Sequence, residues 1–229
     1  MERKEFLKRL GMSTVVLPLI GACSEDEGTQ DTDTGPCATT PSETAGPFPT
    51  KDPTSLIMMD IKSDRTGVDL TVKIMVQNKS NNCDPLAGAM IDIWHCDKDG
   101  YYSEYGGTGL QPANFSAYHF LRGRQSTDSN GLAAFASIFP GWYPSRSPHI
   151  HVHIYDSTGK SLLVTQIAFP TDVCDMVYTT ATQYYTKGKQ DISNESDGVF
   201  SNSLANEMAV VTGNISDGYV LTHTIAVNG

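Results

Sequence analysis

From residue 68 to 77 the chain alternates between apolar and polar positions. Val68, Leu70, Val72, Ile74 and Val76 fall on one side of an extended segment, because successive strand side chains point to opposite faces. Shorter stretches with the same strand-like character follow at residues 89–94, 132–138, 149–155, 162–169 and 219–227. Turn-forming residues separate them: Asn78-Lys79-Ser80-Asn81, Asp99-Gly100, Asn130-Gly131 and Thr158-Gly159. Residues 171–210 are less regular, with a short helix expected around 203–211. The pattern predicts an all-β domain, a β-sandwich of mostly antiparallel strands with long loops and few short helices. The sequence holds no internal repeat, no phosphate-cradling glycine loop and no Gly-x-Ser-x-Gly elbow.

Ahead of the domain the pattern changes. Arg3, Lys4, Lys8 and Arg9 form a basic head, residues 12–20 a short apolar run, and Ile20-Gly21-Ala22-Cys23 looks like a bacterial lipobox. The apolar run is too short to remain as a membrane-spanning helix. Residues 1–22 therefore read as a lipoprotein signal peptide. The mature chain is expected to begin at a lipidated Cys23 and to sit, membrane-anchored, on the periplasmic or cell-surface side. Arg3-Lys4-Glu5-Phe6-Leu7-Lys8 resembles a twin-arginine signal with Lys in place of the second Arg, which leaves both folded and unfolded export open. Residues 23–45, rich in Ser, Asp, Glu, Thr, Gly and Pro, read as a flexible acidic tether, and residues 46–229 as the domain.

The formal charge of -10 over 229 residues argues against nucleic acid as a partner. With Cys23 taken by lipid, Cys37, Cys83, Cys96 and Cys174 remain. In an oxidising compartment they fit one or two disulfides, and the sequence does not choose among the three pairings. Their spacing lacks the close pairs of a zinc knuckle. A homodimer is left open.

Candidate chemistry concentrates in two stretches. In residues 149–154, His149, His151 and His153 share one strand face while Ile150, Val152 and Ile154 take the other. Imidazoles at i and i+2 can chelate one metal ion; the blander reading is the polar face of an amphipathic strand. Three of the six histidines fall here, just after Tyr143 and Arg146, which favours a metal. Iron, copper, zinc and nickel all accept imidazole, so the stretch alone does not name the ion. The second stretch runs through Ile93, Trp94 and His95 into the turn at Asp99-Gly100, followed at once by Tyr101 and Tyr102, one of which is thrown onto the sandwich rim.

In combination these residues resemble the intradiol ring-cleavage dioxygenases, in their short, secreted branch. Trp94, Gly100 and Tyr102 fit the family's first tyrosine segment, Tyr143 after Pro140-Gly141 its second, and Arg146, His149 and His151 its Arg-x-x-His-x-His. Thr44-Ala45-Gly46-Pro47-Phe48 and Gln166 fit its pocket segments, so the resemblance runs from about residue 36 to 169. It implies a non-haem Fe(III) held by Tyr102, Tyr143, His149 and His151, with a catechol-type substrate and O2 as partners and a muconate-type diacid as product. It also implies that Tyr143 is the ligand that leaves and takes a substrate proton, and that Arg146 stabilises negative charge on the substrate. Gly46, Pro47, Arg146 and Gln166 would line the substrate pocket. His153 and His95 are expected beside the site or on its rim, not as ligands. Only two residues separate Tyr143 from Arg146, fewer than in the catabolic catechol and protocatechuate enzymes, and their helical N-terminal domain has no counterpart here. Two other readings stay open: a surface lipoprotein that binds catechol or siderophore groups without turnover, and, if no metal is held, an adhesion or carbohydrate module.

Overall fold

The computed structural model describes residues 37–229; the signal peptide, Cys23 and the tether up to residue 36 lie outside the described residues. Two sheets carry the chain. In the first, β1 (Asp69–Asn78) is central: it pairs in parallel with β9 (Gly218–Val227) on one side and antiparallel with β5 (Leu132–Ile138) and the short β2 (Asp84–Pro85) on the other. β8 (Val210–Asn214) adds to β9. The second sheet runs β4 (Arg122–Ser126), β3 (Met90–Trp94), β6 (His149–Tyr155), β7 (Ser161–Ala168), antiparallel throughout. The expected β-sandwich is the architecture found.

Alternation along the strands builds the core. Val68, Leu70, Val72, Ile74 and Val76 join Ile91, Ile93, Ile150, Val152 and Ile154 of the other sheet in one buried cluster. Burying each such aliphatic side chain contributes about 1.5–3 kcal/mol before the entropy of ordering the chain offsets it. Because Ile150, Val152 and Ile154 face inward, His149 and His151 must point to the outer face of the second sheet. Loops cover that face, and both histidines are buried as well.

Two expectations need correction. Residues 37–45 are not free tether: Cys37 is disulfide-bonded to Cys83, Thr40 exchanges hydrogen bonds with Ala226, and the Glu43 amide donates to the Val164 carbonyl. The helix expected around 203–211 is a single 3-10 turn, Leu204–Asn206, followed by β8. There the β-branched Val210, Val211 and Thr212 pair with β9, as such residues favour. The one α-helix among the described residues, α1 (Thr171–Thr180), lies earlier, and its buried Cys174, Val177 and Tyr178, with Ala181 just past its end, follow the i, i+3, i+4, i+7 rule. Among the described residues no helix is long and apolar enough to cross a membrane.

The disulfide choice left open by the sequence resolves to Cys37–Cys83, with Cys96 and Cys174 buried as free thiols. Cys37→Ser is expected to lose about 2–4 kcal/mol in urea denaturation. Reductant should reproduce that loss in the unaltered chain and leave the variant unchanged; equal midpoints for all samples would contradict the pairing.

Candidate active site

The site is assembled on the outer face of β6. His149 Nδ1 lies 2.6 Å from the Ser147 carbonyl oxygen. A carbonyl only accepts, so Nδ1 carries the proton and Nε2 presents a lone pair. That Nε2 lies 3.2 Å from His151 Nε2, 3.3 Å from Tyr102 Oη and 3.4 Å from Tyr143 Oη. One lone pair cannot satisfy three neighbours, whereas a cation among them would meet all the donors at once. Separations of 3.2–3.4 Å are also the edges of a coordination shell with bonds of roughly 2.0–2.1 Å, the usual metal–imidazole length. His151 Nδ1 is buried with no hydrogen-bond partner among the described residues, so Nε2 is the ring's only polar anchor.

The electrostatics suit metal binding. Burial, reinforced by Arg146, pulls His149 down to about 3, and burial with the neighbouring His149 pulls His151 well down, so both imidazoles are neutral with free lone pairs. Burial also pushes the Tyr102 phenol well up, and Tyr143 up to about 12. These phenols part with their protons only to a strong Lewis acid. As phenolates they offer two hard, negative oxygens, a donor set that favours a trivalent over a divalent ion. Among the described residues no trio of His, Cys, Asp and Glu side chains gathers to hold a metal. The cluster draws half its donors from tyrosine.

Two loops bring the tyrosines in, and their backbones touch. Asp97 shapes the first: its Oδ1 accepts from the amides of Asp99 at 3.0 Å and Tyr101 at 2.9 Å. Gly100, at φ +87°, approaches the second loop so closely that a Cβ there would lie 2.3 Å from the Trp142 carbonyl oxygen. Gly141 returns the contact, its amide donating to the Asp97 carbonyl at 3.0 Å. Trp94 stacks on His151 at 5.0 Å with the rings 4° from parallel, and Phe48 stacks on Tyr102 at 4.9 Å. Gly46 roofs the pair: a Cβ there would lie 2.8 Å from His151 Cε1, while Pro47 beside it is exposed.

Arg146 is held beside the cluster. Its Nη1 is 3.5 Å from Tyr143 Oη, its Nη2 donates to Gln166 Oε1 at 2.6 Å, and Gln166 Nε2 donates to the Thr44 carbonyl at 2.8 Å. Its Nε pairs with Asp197, a residue that sequence reasoning missed because it sits in the irregular 181–201 stretch. Burial pushes the Asp197 carboxyl up, but the Val199 and Ser147 amides together with Arg146 hold it below the ordinary range. The other histidines stand apart. His153 contacts Ser161 and Tyr155 and none of the cluster. His95, one residue beyond Trp94, turns to the opposite face, donating to the Cys96 carbonyl and accepting from Ser137 Oγ, and hydrogen-bonds to none of the four clustered side chains.

The family model described as "Dioxygenase" matches residues 47–209, which span this cluster. The intradiol ring-cleavage dioxygenase from Tetranychus urticae superposes with a TM-score of 0.75 at 27% identity, over 84% of this chain and 95% of that one. The chain belongs to the intradiol ring-cleavage dioxygenase family. Among curated intradiol enzymes, the chlorocatechol 1,2-dioxygenase of Rhodococcus opacus is 30% identical over 133 residues, 50% of this chain and 48% of that protein. The hydroxyquinol 1,2-dioxygenase of a Rhizobium species is 29% identical over 156 residues, 60% of this chain and 50% of that protein. The chain thus spans about half the length of these two curated relatives.

Because the folded Asp197 carboxyl lies below its ordinary value, its pairing stabilises the protein above about pH 4 and is lost as the pH falls through the folded value. Asp197→Asn is therefore expected to cost about 3 kcal/mol at pH 7 in urea denaturation, and progressively less as the pH falls below 4. A difference that does not change with pH would place the stabilisation elsewhere.

Proposed function

We propose that this chain is a non-haem iron(III) dioxygenase that opens a catechol-type ring between its hydroxyls with O2, giving a muconate-type diacid. The observation that carries the reading is the convergence of Tyr102, Tyr143 and His151 on His149 Nε2 within 3.4 Å. Tyr102, Tyr143, His149 and His151 would hold the iron. When bound, iron(III) supplies the Lewis acidity that draws charge from a chelated catecholate and opens its ring to dioxygen. Both oxygen atoms end in the diacid, so the reaction needs no outside reductant.

The two tyrosines are held differently, and their tasks differ accordingly. Tyr102 is fully buried between Phe48 and the Tyr143 ring, which fixes it in place. Tyr143 is half-buried on a loop and is the one free to swing aside. Its oxygen, which ordinarily keeps its proton up to about 12, is basic enough as a phenolate to take the proton of a catechol hydroxyl. Arg146, fixed by Asp197 and Gln166, presents a cation beside that oxygen where negative charge develops on the substrate. Gly46, with no side chain, lets the roof lie directly against the His151 ring, and Gln166 ties the roof at Thr44 to Arg146.

The same reading carries an exported, Cys23-anchored protein. The Cys37–Cys83 disulfide fits an oxidising compartment.

Oxygen consumption by the iron-loaded protein, measured with a panel of substituted catechols, tests the activity. One O2 per catechol and a matching diacid are expected, with Tyr143→Phe lowering the rate by about 10²-fold or more. A catechol that changes the protein's colour without oxygen uptake would instead support the binding lipoprotein.

A further inference from the structure

A second buried network lies directly behind Tyr102. Arg122, on β4, has no exposed surface. Its Nε donates to Ser103 Oγ at 2.8 Å, its Nη2 to the Ser103 carbonyl at 2.7 Å and its Nη1 to Thr50 Oγ1 at 3.1 Å. Its counter-charge is Glu104, also buried, 3.7 Å away. Glu104 in turn accepts from the Lys51 amide at 2.8 Å and contacts His119 Nδ1 at 2.8 Å. One ion pair therefore joins the turn immediately after Tyr102 to the segment following the roof residue Phe48.

Two features set this pair apart from an ordinary structural salt bridge. The backbone on both sides is strained: Glu104 has φ +67° and Leu121, next to Arg122, φ +56°. Non-glycine residues are held in that region only where the surroundings over-determine them. In addition, the guanidinium carbon lies 6.0 Å from the Tyr102 ring centroid, inside a low-dielectric interior where a charge acts strongly.

We propose that Arg122, paired with Glu104, is a positioning residue for Tyr102: it fixes the turn that carries the phenol, and its charge tunes that oxygen as a metal donor. The proposal rests on the reading of Tyr102 as an iron ligand. A cation near a phenolate stabilises its electrons, raising the energy needed to move one onto iron(III); a carboxylate partner does the reverse. Arg122 and Glu104 should therefore tune the site in opposite senses.

The test is the visible tyrosinate-to-iron(III) absorption of the iron-loaded full chain, with iron content measured alongside. Arg122→Gln is expected to move the band to longer wavelength and Glu104→Gln to shorter wavelength, while Arg122→Lys, which keeps the charge, stays nearer the wild-type position. Opposite shifts are a signature that general loosening of the fold would not produce. If Arg122→Gln fails to fold, the Glu104→Gln and Arg122→Lys pair still decides the matter. Unshifted bands for both glutamine variants, Arg122→Gln and Glu104→Gln shifted in the same sense, or a Glu104→Gln band that does not move to shorter wavelength in iron-replete protein, overturn the proposal alone. A wild-type protein without such a band, or one whose band survives Tyr102→Phe unchanged, overturns the iron reading beneath it.

Discussion

Strand β6 is under a constraint that organises the molecule around it. It carries branched aliphatics on one face and histidines on the other, and both faces are buried from His149 to Val152. The aliphatic face is satisfied by the opposing sheet through apolar packing alone. The histidine face needs polar partners, because buried imidazole nitrogens without them are costly. The loops ending in Tyr102 and Tyr143, together with the roof at Gly46, supply that second layer. The backbone contact between Gly100 and Trp142 sets how closely the two phenols approach.

Placing so many polar groups under a roof requires buried charges to be paired. Arg146 with Asp197, Arg122 with Glu104 and Arg124 with Asp92 are each ion pairs whose carboxylates are almost wholly withdrawn from water. Such pairs add little net stability over an apolar substitute, since desolvation offsets most of their attraction. What they provide is fixed geometry. Two of the three touch the candidate site: one orients the arginine beside Tyr143, the other anchors the turn behind Tyr102. The protein thus holds a preorganised electrostatic environment around the point where the donors meet.

Much of this was legible in the residues. The strands at 68–77, 132–138 and 149–155 announce themselves because one face is apolar and the period is two. The four side chains that cluster were legible because motif spacing is local: a strand, a turn and a tyrosine, or two histidines two residues apart. β4 was not legible, since its Arg122-Gly123-Arg124-Gln125-Ser126 has no apolar alternation and is buried through ion pairs with residues distant in sequence. Asp197 escaped for the same reason, its partner lying 51 residues earlier. Helix α1 did carry a 3.6-residue pattern, masked by the β-branched threonines and valines around it.

Titration of the metal-free protein with ferric iron, followed in the visible region for the wild type, Tyr102→Phe and Tyr143→Phe, tests the central claim most directly. The geometry predicts a tyrosinate-to-iron(III) band that saturates at one iron per chain and that each substitution weakens. Saturation without such a band, or a band indifferent to both substitutions, would mean that the two phenols and two imidazoles do not share an iron.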